Sequence, residues 1–379
     1  MQGISSLGAT STPALPWRRA NVRHKSAELY VDIVETLSVI IAPSGRPLSA
    51  FANGTIAFTS KISGVPDVLL SLSSPSGRHN IESIMELPVF HPCVRLAHWR
   101  SHPGELSFVP PDGRFILAGY EVNLLPFPTS SLTSTTSNTN LRLPVSVEVK
   151  TSLGPTGSDF EVRLLLSPPL VSGQSNSSLS SLGSRSARLA GSASGSAFGV
   201  GGSTPKSNLE GLTLTVPIPP DVRNLSEIRA SRGDTTYAPG ASTLEWNIPT
   251  KEAGAGVATL RCSVVGTFED DEEENGTSFS FEQYDETDGY QTSVPPPKVV
   301  VTDEEKAGER DAKRVARNKL LMPTSARVSF GTKGWLASGL KVDSLVIDSR
   351  KSRGLGDGSR LYKGVKYLSV SRGGVEIRC

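Results

Sequence analysis

Residues 90–120, FHPCVRLAHWRSHPGELSFVPPDGRFILAGY, restrict the fold more than any other part of the chain. Residues 106–109 and 114–117 are short runs of apolar and aromatic residues suited to strands. Between them stands Pro110-Pro111-Asp112-Gly113, in which proline fixes φ and glycine takes the positive φ of a tight turn. The spacing predicts a strand and then a tight hairpin. Similar patterns fill the chain. From Ala27 onward Leu29, Val31 and Ile33 alternate with Tyr30, Asp32 and Val34, and β-prone runs at 54–62 and 68–72 follow after short turns, one of them SGVPD at 63–67. Connections this short exclude crossover helices and predict consecutive antiparallel strands. Further runs lie at 141–149, 159–166, 212–216, 326–330, 339–347, 364–370 and 375–379, with a hairpin over 235–248 and its neighbour at 257–265.

A chain of 379 residues allows one large or two ordinary domains, yet 36 Gly, 27 Pro and 37% hydrophobic content leave a smaller core than that length suggests. The deficit is concentrated. Residues 1–20 are largely Ser, Gly, Ala and Pro and are predicted to be a linker. Residues 128–140 are mostly Ser and Thr, and 13 Ser with 7 Gly make up about half of the 41 residues from 168 to 208. Such composition cannot bury enough apolar surface to offset an ordering entropy of about 1 to 2 kcal/mol per residue. A third insertion, 269–319, starts with six consecutive acidic residues and ends in the mixed-charge run 303–319, where one short helix is expected. All three are expected to be disordered.

The formal net charge of +2 gives no global field of the kind that nucleic acid requires. Three widely spaced cysteines, Cys93, Cys262 and Cys379, do not suit a disulfide framework and point to a reducing compartment. No apolar run approaches the ~18 to 20 residues of a spanning helix, so a cytoplasmic protein is expected. His91, Cys93, His98 and His102 fall within twelve residues, but their spacing matches no zinc pattern and Arg95 and Arg100 add unfavourable charge. A packed strand cysteine among surface histidines is expected instead, with no metal. GLGDG at 354–358 has no helix signal after it and is expected to be a hairpin loop. No nucleophile elbow occurs, and neither an enzyme nor a cofactor is implied.

The passage FHPCVRL, followed by LSFVPPDGRFIL, resembles the mu homology domain of the medium subunits of clathrin-type adaptor complexes. Order along the chain agrees, from SGVP before the third strand to the closing SGLKV and RC passages. The resemblance implies an all-β, elongated, two-subdomain antiparallel β-sandwich. The first subdomain would comprise 21–124 and 333–379, with the second, 125–332, inserted into it. In the family a longin-like domain precedes this region, so the chain is expected to correspond to the carboxy-terminal domain of such a subunit.

The resemblance also implies a function: recognition of Tyr-x-x-Φ sorting signals in membrane-protein tails, Φ being a bulky apolar residue. Physically, an extended peptide adds as a strand to an open sheet edge, and alternate side chains enter pockets. Tyr30 and Asp32 match the family's aromatic and aspartate residues for the signal tyrosine. The sequence departs at the rest of that pocket, with Thr59 at a lysine position, Gly364 at a tryptophan and Lys366 at an arginine. The Φ pocket would fall on Val31, Val342, Leu345, the stem of Lys363, and Val365.

FHPC, VPD at 65–67 and KGVKY at 363–367 are most similar to the mu subunit of adaptor protein complex 3. That branch implies transport from Golgi or endosomes to lysosomes or vacuoles, beside two large adaptins and a small sigma subunit. A local excess of Lys and Arg after residue 350, led by Arg350, Lys351 and Arg353, marks a candidate phosphoinositide-binding face. The alternative is an endocytic scaffold protein whose mu homology domain binds whole protein domains instead of Tyr-x-x-Φ peptides.

Overall fold

The period of two beginning at Ala27 continues for 15 residues as strand β1 (Ala27–Ile41), whose core-facing side holds Leu29, Val31, Ile33, Leu37 and Val39. The computed structural model describes residues 15–19, 21–75, 81–125, 141, 143–167, 209–266, 303–355 and 361–379. After β1 come β2 (Pro47–Lys61), β3 (Val68–Ser73), the one-turn helix α1 (Ile81–Ile84), β4 (Glu86–Phe90), helix α2 (Leu96–Ser101), β5 (Glu105–Phe108) and β6 (Gly113–Asn123). The middle of the chain supplies β7 (Val145–Leu153), β8 (Asp159–Leu166), β9 (Leu209–Pro217), β10 (Val222–Ala230), β11 (Asp234–Thr236), β12 (Thr243–Ile248) and β13 (Gly256–Gly266). Helix α3 (Asp303–Leu320), β14 (Ser325–Lys333), β15 (Lys341–Ile347) and β16 (Leu361–Arg378) complete it.

These strands form the expected all-β architecture. A nine-stranded sheet runs β11-β12-β9-β14-β16-β1-β2-β6-β4, accompanied by a four-stranded sheet β10-β13-β8-β7 and a three-stranded sheet β15-β3-β5. The large sheet continues through the β14–β16 pair, so strands from the middle of the chain and strands from its two ends share one hydrogen-bonded surface. One strand pair departs from the antiparallel rule: β1 lies parallel to β16, with Tyr30 opposite Gly364 and Asp32 opposite Lys366. A parallel pair needs a long crossover. Here everything between β1 and β16 serves as that crossover.

The local pairings differ from the sequence reading at three places. Residues 106–109 and 114–117 do not form a hairpin: β5 pairs with β3 in the small sheet, and β6 pairs with β2 and β4 in the large one. Pro110 and Pro111 lack amide donors, and the chain turns there from one sheet to the other. In the same way β3 leaves β2 for the small sheet, and β13 pairs with β8 and β10, not with β12. The hairpin of β11 and β12 is as expected, with Asp234 opposite Asn247. Of the three insertions, 128–140, 168–208 and the first part of 269–319 lie outside the described residues, but the charged end of the last is the 18-residue helix α3. Its Lys, Arg, Glu and Ala residues are strong helix formers.

The passage at 90–120 is a structural knot. The Arg95 guanidinium grips both carboxylate oxygens of Asp67, at 3.0 Å from Nη1 to Oδ1, and also donates to Ser107 Oγ at 2.7 Å. Phe108 meets Phe58 edge to face at 5.0 Å, and Phe90 packs on Trp99. Trp17 and Arg18, expected at the end of a linker, are part of this knot. Trp17 Nε1 donates to Val109 O at 2.9 Å, and buried Arg18 donates to the carbonyls of Gly64 (2.7 Å), Pro110 (2.8 Å) and Ile62. Three carbonyls of two turns converge where the fork of a guanidinium can satisfy them together.

A second buried polar group fixes β1 to its neighbours. Glu35 is fully buried and accepts hydrogen bonds from Tyr120 Oη at 3.0 Å, Ser338 N at 3.1 Å and Ser338 Oγ. Burial outweighs these donors and pushes its carboxyl above the usual range. Tyr120 reaches it by crossing Gly54, where a Cβ would come within 2.0 Å of the ring.

Candidate functional site

From Leu361 to Lys366 strand β16 has β1 on one side and, among the described residues, no strand on the other. β14 joins that second side only from Leu368 onward, and Gly334 N closes on Tyr367 O at 2.9 Å. The result is an open edge of six residues inside an otherwise extended sheet. Such an edge accepts one more strand.

Register sorts the candidate residues onto two faces of this edge, because paired residues of adjacent strands project to the same side and successive residues to opposite sides. One face carries Gly364, Tyr30 and Thr59 in a single row across β16, β1 and β2, with Arg114 of β6 at its end. The next row carries Lys366, Asp32, Ala57 and Ile116. The Tyr30 ring lies over Gly364, with Cδ1 only 2.8 Å from where a Cβ would be. A tryptophan there, as the family pattern has it, would collide with Tyr30 in this position. Arg114 Nη2 approaches Asp32 Oδ2 at 3.2 Å. Tyr30, Asp32, Thr59, Gly364 and Lys366 are thus gathered on one face as a partly open polar and aromatic surface.

Arg114 and Ile116 are absent from the sequence-based set. Arg114 stands where it can supply the cation that Thr59 does not. Its signal lay in the GRF end of the 90–120 passage, but assigning it to this face requires the β2–β6 register and the irregularity after Ile56. Ile116, 53% exposed, adds an apolar surface beside the carboxylate.

The other face carries Val31 and Val365 in one row and Leu29 and Lys363 in the next. β15 lies against it: Lys363 Nζ donates to Leu345 O at 2.6 Å, and Tyr367 Oη accepts from Val342 N at 2.9 Å. Val31 and Leu345 are buried, at 0% and 1% exposed, while Val342 and Val365 are half-buried. Val31 and Leu345 therefore form a floor, and Val342, Val365 and the Lys363 stem form the accessible rim.

The basic loop is tightly held. The carboxylate of Asp348 accepts from Arg350 N at 3.0 Å and pairs with Lys351 Nζ at 3.4 Å, while Arg353 exchanges backbone bonds with Val65. The histidines do not converge with Cys93. His91 Nδ1 accepts from the Cys93 amide at 3.1 Å, His98 stacks on His102 and reaches Glu105, and burial pushes the Cys93 thiol up to about 12. Among the described residues no three His, Cys, Asp or Glu side chains form a metal-holding group. No helix among them is long and apolar enough to cross a membrane.

Comparison with known proteins agrees with this architecture. The adaptor complexes medium subunit family matches residues 15–379. AP-3 complex subunit mu-2 of Rattus norvegicus is 28% identical over 234 residues, which is 62% of this chain and 43% of the relative. AP-3 complex subunit mu-1 of Homo sapiens is 28% identical over 250 residues, 65% of this chain and 47% of the relative. The chain thus matches less than half the length of these curated relatives. A chain in a homology model of the full-length AP-3 complex in an intermediate open conformation superposes with a TM-score of 0.52 at 19% identity, covering 93% of this chain and 68% of that one. At that identity the likeness concerns the fold.

Proposed function

This chain belongs to the adaptor complexes medium subunit family, and from that premise we propose that it recognises Tyr-x-x-Φ sorting signals by strand addition at the open edge of β16. One observation carries the reading. In an extended peptide the tyrosine and a residue three places later project to opposite faces. At this edge Tyr30, Asp32 and Lys366 occupy one face, and Val365, Val342 and the Lys363 stem occupy the other. The tyrosine hydroxyl donates to Asp32, the ring lies against Tyr30, and Φ enters beside Val365 and Val342. Residues 21–124 and 333–379 form the signal-binding unit in this reading, with 125–332 inserted.

Membership of the family and the likeness to AP-3 mu subunits support a wider setting in the same reading. The chain works as the cargo-recognition part of a heterotetramer with two large adaptins and a small sigma subunit, peripherally on Golgi or endosomal membranes, in transport to the vacuole or lysosome. Calorimetric titration with a Tyr-x-x-Leu peptide and its Phe-x-x-Leu counterpart tests the site. Micromolar binding of the first and at least tenfold loss in the second is expected. Equal binding of both removes the tyrosine pocket, and failure of both together with absence of co-purifying adaptins favours the endocytic scaffold reading.

A further inference from the structure

Beyond the Φ position the same edge leads to a cavity of about 140 Å³, lined on its apolar side by Ala27, Ile62, Ile347, Leu355 and Leu361. His24, Ser26 and Ser63 also line it, and three of their side-chain polar atoms are held in hydrogen bonds. His24 Nε2 pairs with Asp112 Oδ1 at 2.7 Å, His24 N donates to Ser63 Oγ at 2.9 Å, and Ser26 Oγ donates to Glu28 Oε1 at 2.9 Å. The other five lining residues are apolar. A space of about 150 Å³ is large enough for a benzene-sized group.

The direction of a bound signal follows from where the edge is open. Its tyrosine must reach Asp32, whose partner on β16 is Lys366, and from Leu368 onward β14 occupies the edge. Only a peptide antiparallel to β16 carries the following residues away from β14. Φ then falls opposite Lys363, and the residue two places after Φ falls opposite Leu361, on the face of Φ again because the side-chain period is two. Leu361 and its β1 partner Ala27 both line the cavity. We propose that this cavity is a further specificity pocket, receiving a branched aliphatic side chain two residues after Φ. The proposal rests on the Tyr-x-x-Φ reading.

The test uses the full chain and two soluble peptides, Tyr-x-x-Leu-x-Leu and Tyr-x-x-Leu-x-Ala, in calorimetric titration. Burial of the added side chain is expected to tighten the first by about tenfold over the second. Filling the cavity by Ala27→Leu, or from the loop side by Leu355→Phe, should collapse that difference. Peptides that bind the parent within twofold of each other overturn the proposal, as does a tenfold difference that survives in both filled variants. Failure of the Tyr-x-x-Leu-x-Ala peptide to bind the parent is the separate result that removes the underlying signal-binding reading.

Discussion

Arg114 on β6 reaches past Thr59 to place Nη2 3.2 Å from Oδ2 of Asp32 on β1. The two residues are not directly opposite on paired strands; Thr59, small and between them, leaves the space the guanidinium crosses. Arg114 is 64% exposed at its side chain, so the pair belongs to the class worth about 0.2 to 1 kcal/mol. Arg114→Gln is accordingly expected to leave the melting temperature nearly unchanged and to weaken a Tyr-x-x-Leu peptide by up to about fivefold. Adding Thr59→Lys should recover the loss. Recovery is the informative measurement, since it separates a cation's effect on Asp32 from lost contact with the Arg114 stem.

Asp32→Ala carries a larger expected effect. A hydrogen bond to an ionised acceptor contributes about 1.5 to 3 kcal/mol, equivalent to roughly ten- to a hundredfold in affinity. The Asp32 side chain is 22% exposed and its main partner is a surface arginine, so the domain should still fold with an unaltered denaturation midpoint. Unchanged peptide affinity in a folded variant would take Asp32 out of the site.

Glu35 gives a prediction in pH. Burial holds its folded-state pKa above the ordinary carboxylate value, so its contribution is complete below the unfolded pKa and is lost as pH rises through the folded one. Glu161 has the opposite sign: hydrogen bonding from Arg163 holds it low, and its contribution is lost as pH falls. Glu35→Gln keeps an acceptor for Ser338 N while removing the charge. In urea denaturation the stability of the variant relative to the parent should therefore grow as pH rises above the ordinary carboxylate value and level off once pH passes the folded pKa of Glu35, with the Glu161 contribution cancelling. A difference that stays constant from about pH 5 to about pH 8.5 would show that folded Glu35 is already ionised at the lower end and that its pKa is not raised.

How much was legible depended on whether the information is local. The alternation of Leu29, Val31 and Ile33 against Tyr30 and Asp32 needs one strand and one buried face, and both are present as expected. The parallel β1–β16 pair brings Tyr30 beside Gly364 over a separation of more than three hundred residues, which motif resemblance supplied and periodicity did not. Turn chemistry at Pro110-Pro111-Asp112-Gly113 marks a reversal but does not say which sheet each flanking strand joins, and so a crossing between sheets looked like a hairpin. Arg114 was missed for a related reason. Its place opposite Thr59 depends on a register irregularity two strands away from Asp32. Arg18 shows the limit from the other side: a Ser- and Pro-rich neighbourhood suggested a linker, while its partners are backbone carbonyls that leave no trace in residue type.

Arg18→Ala should expose that difference directly. The change leaves the carbonyls of Gly64, Pro110 and Ile62 without their common donor, a cost of about 2 to 4 kcal/mol. For a domain of this size the melting temperature should fall by at least about 5 °C. A shift below about 1 °C in thermal denaturation would mean that solvent replaces the guanidinium without penalty.

The basic loop at Arg350, Lys351 and Arg353 supports a prediction about membranes. Its backbone is fixed: Asp348 N donates to Asp67 O at 2.8 Å, Ser352 Oγ accepts from Asp67 N at 2.9 Å, and Arg353 is bridged to Val65. The loop therefore presents its charges from a backbone already held in place, so docking has only the side chains to order. Asp348 offsets part of that charge through Lys351 at 3.4 Å. Near an anionic leaflet each basic side chain contributes about 1 kcal/mol. Changing Arg350, Lys351 and Arg353 together to Ser should lower binding to phosphoinositide-containing liposomes by well over tenfold at low salt, while Tyr-x-x-Leu peptide binding persists. Asp348→Asn should act in the opposite direction, strengthening liposome binding by unmasking Lys351. Co-sedimentation at low and high salt measures both. A triple variant that binds liposomes as the parent does at low salt would assign these residues to solvated surface, and the charge on the loop would then serve to keep a sheet corner from associating with other chains.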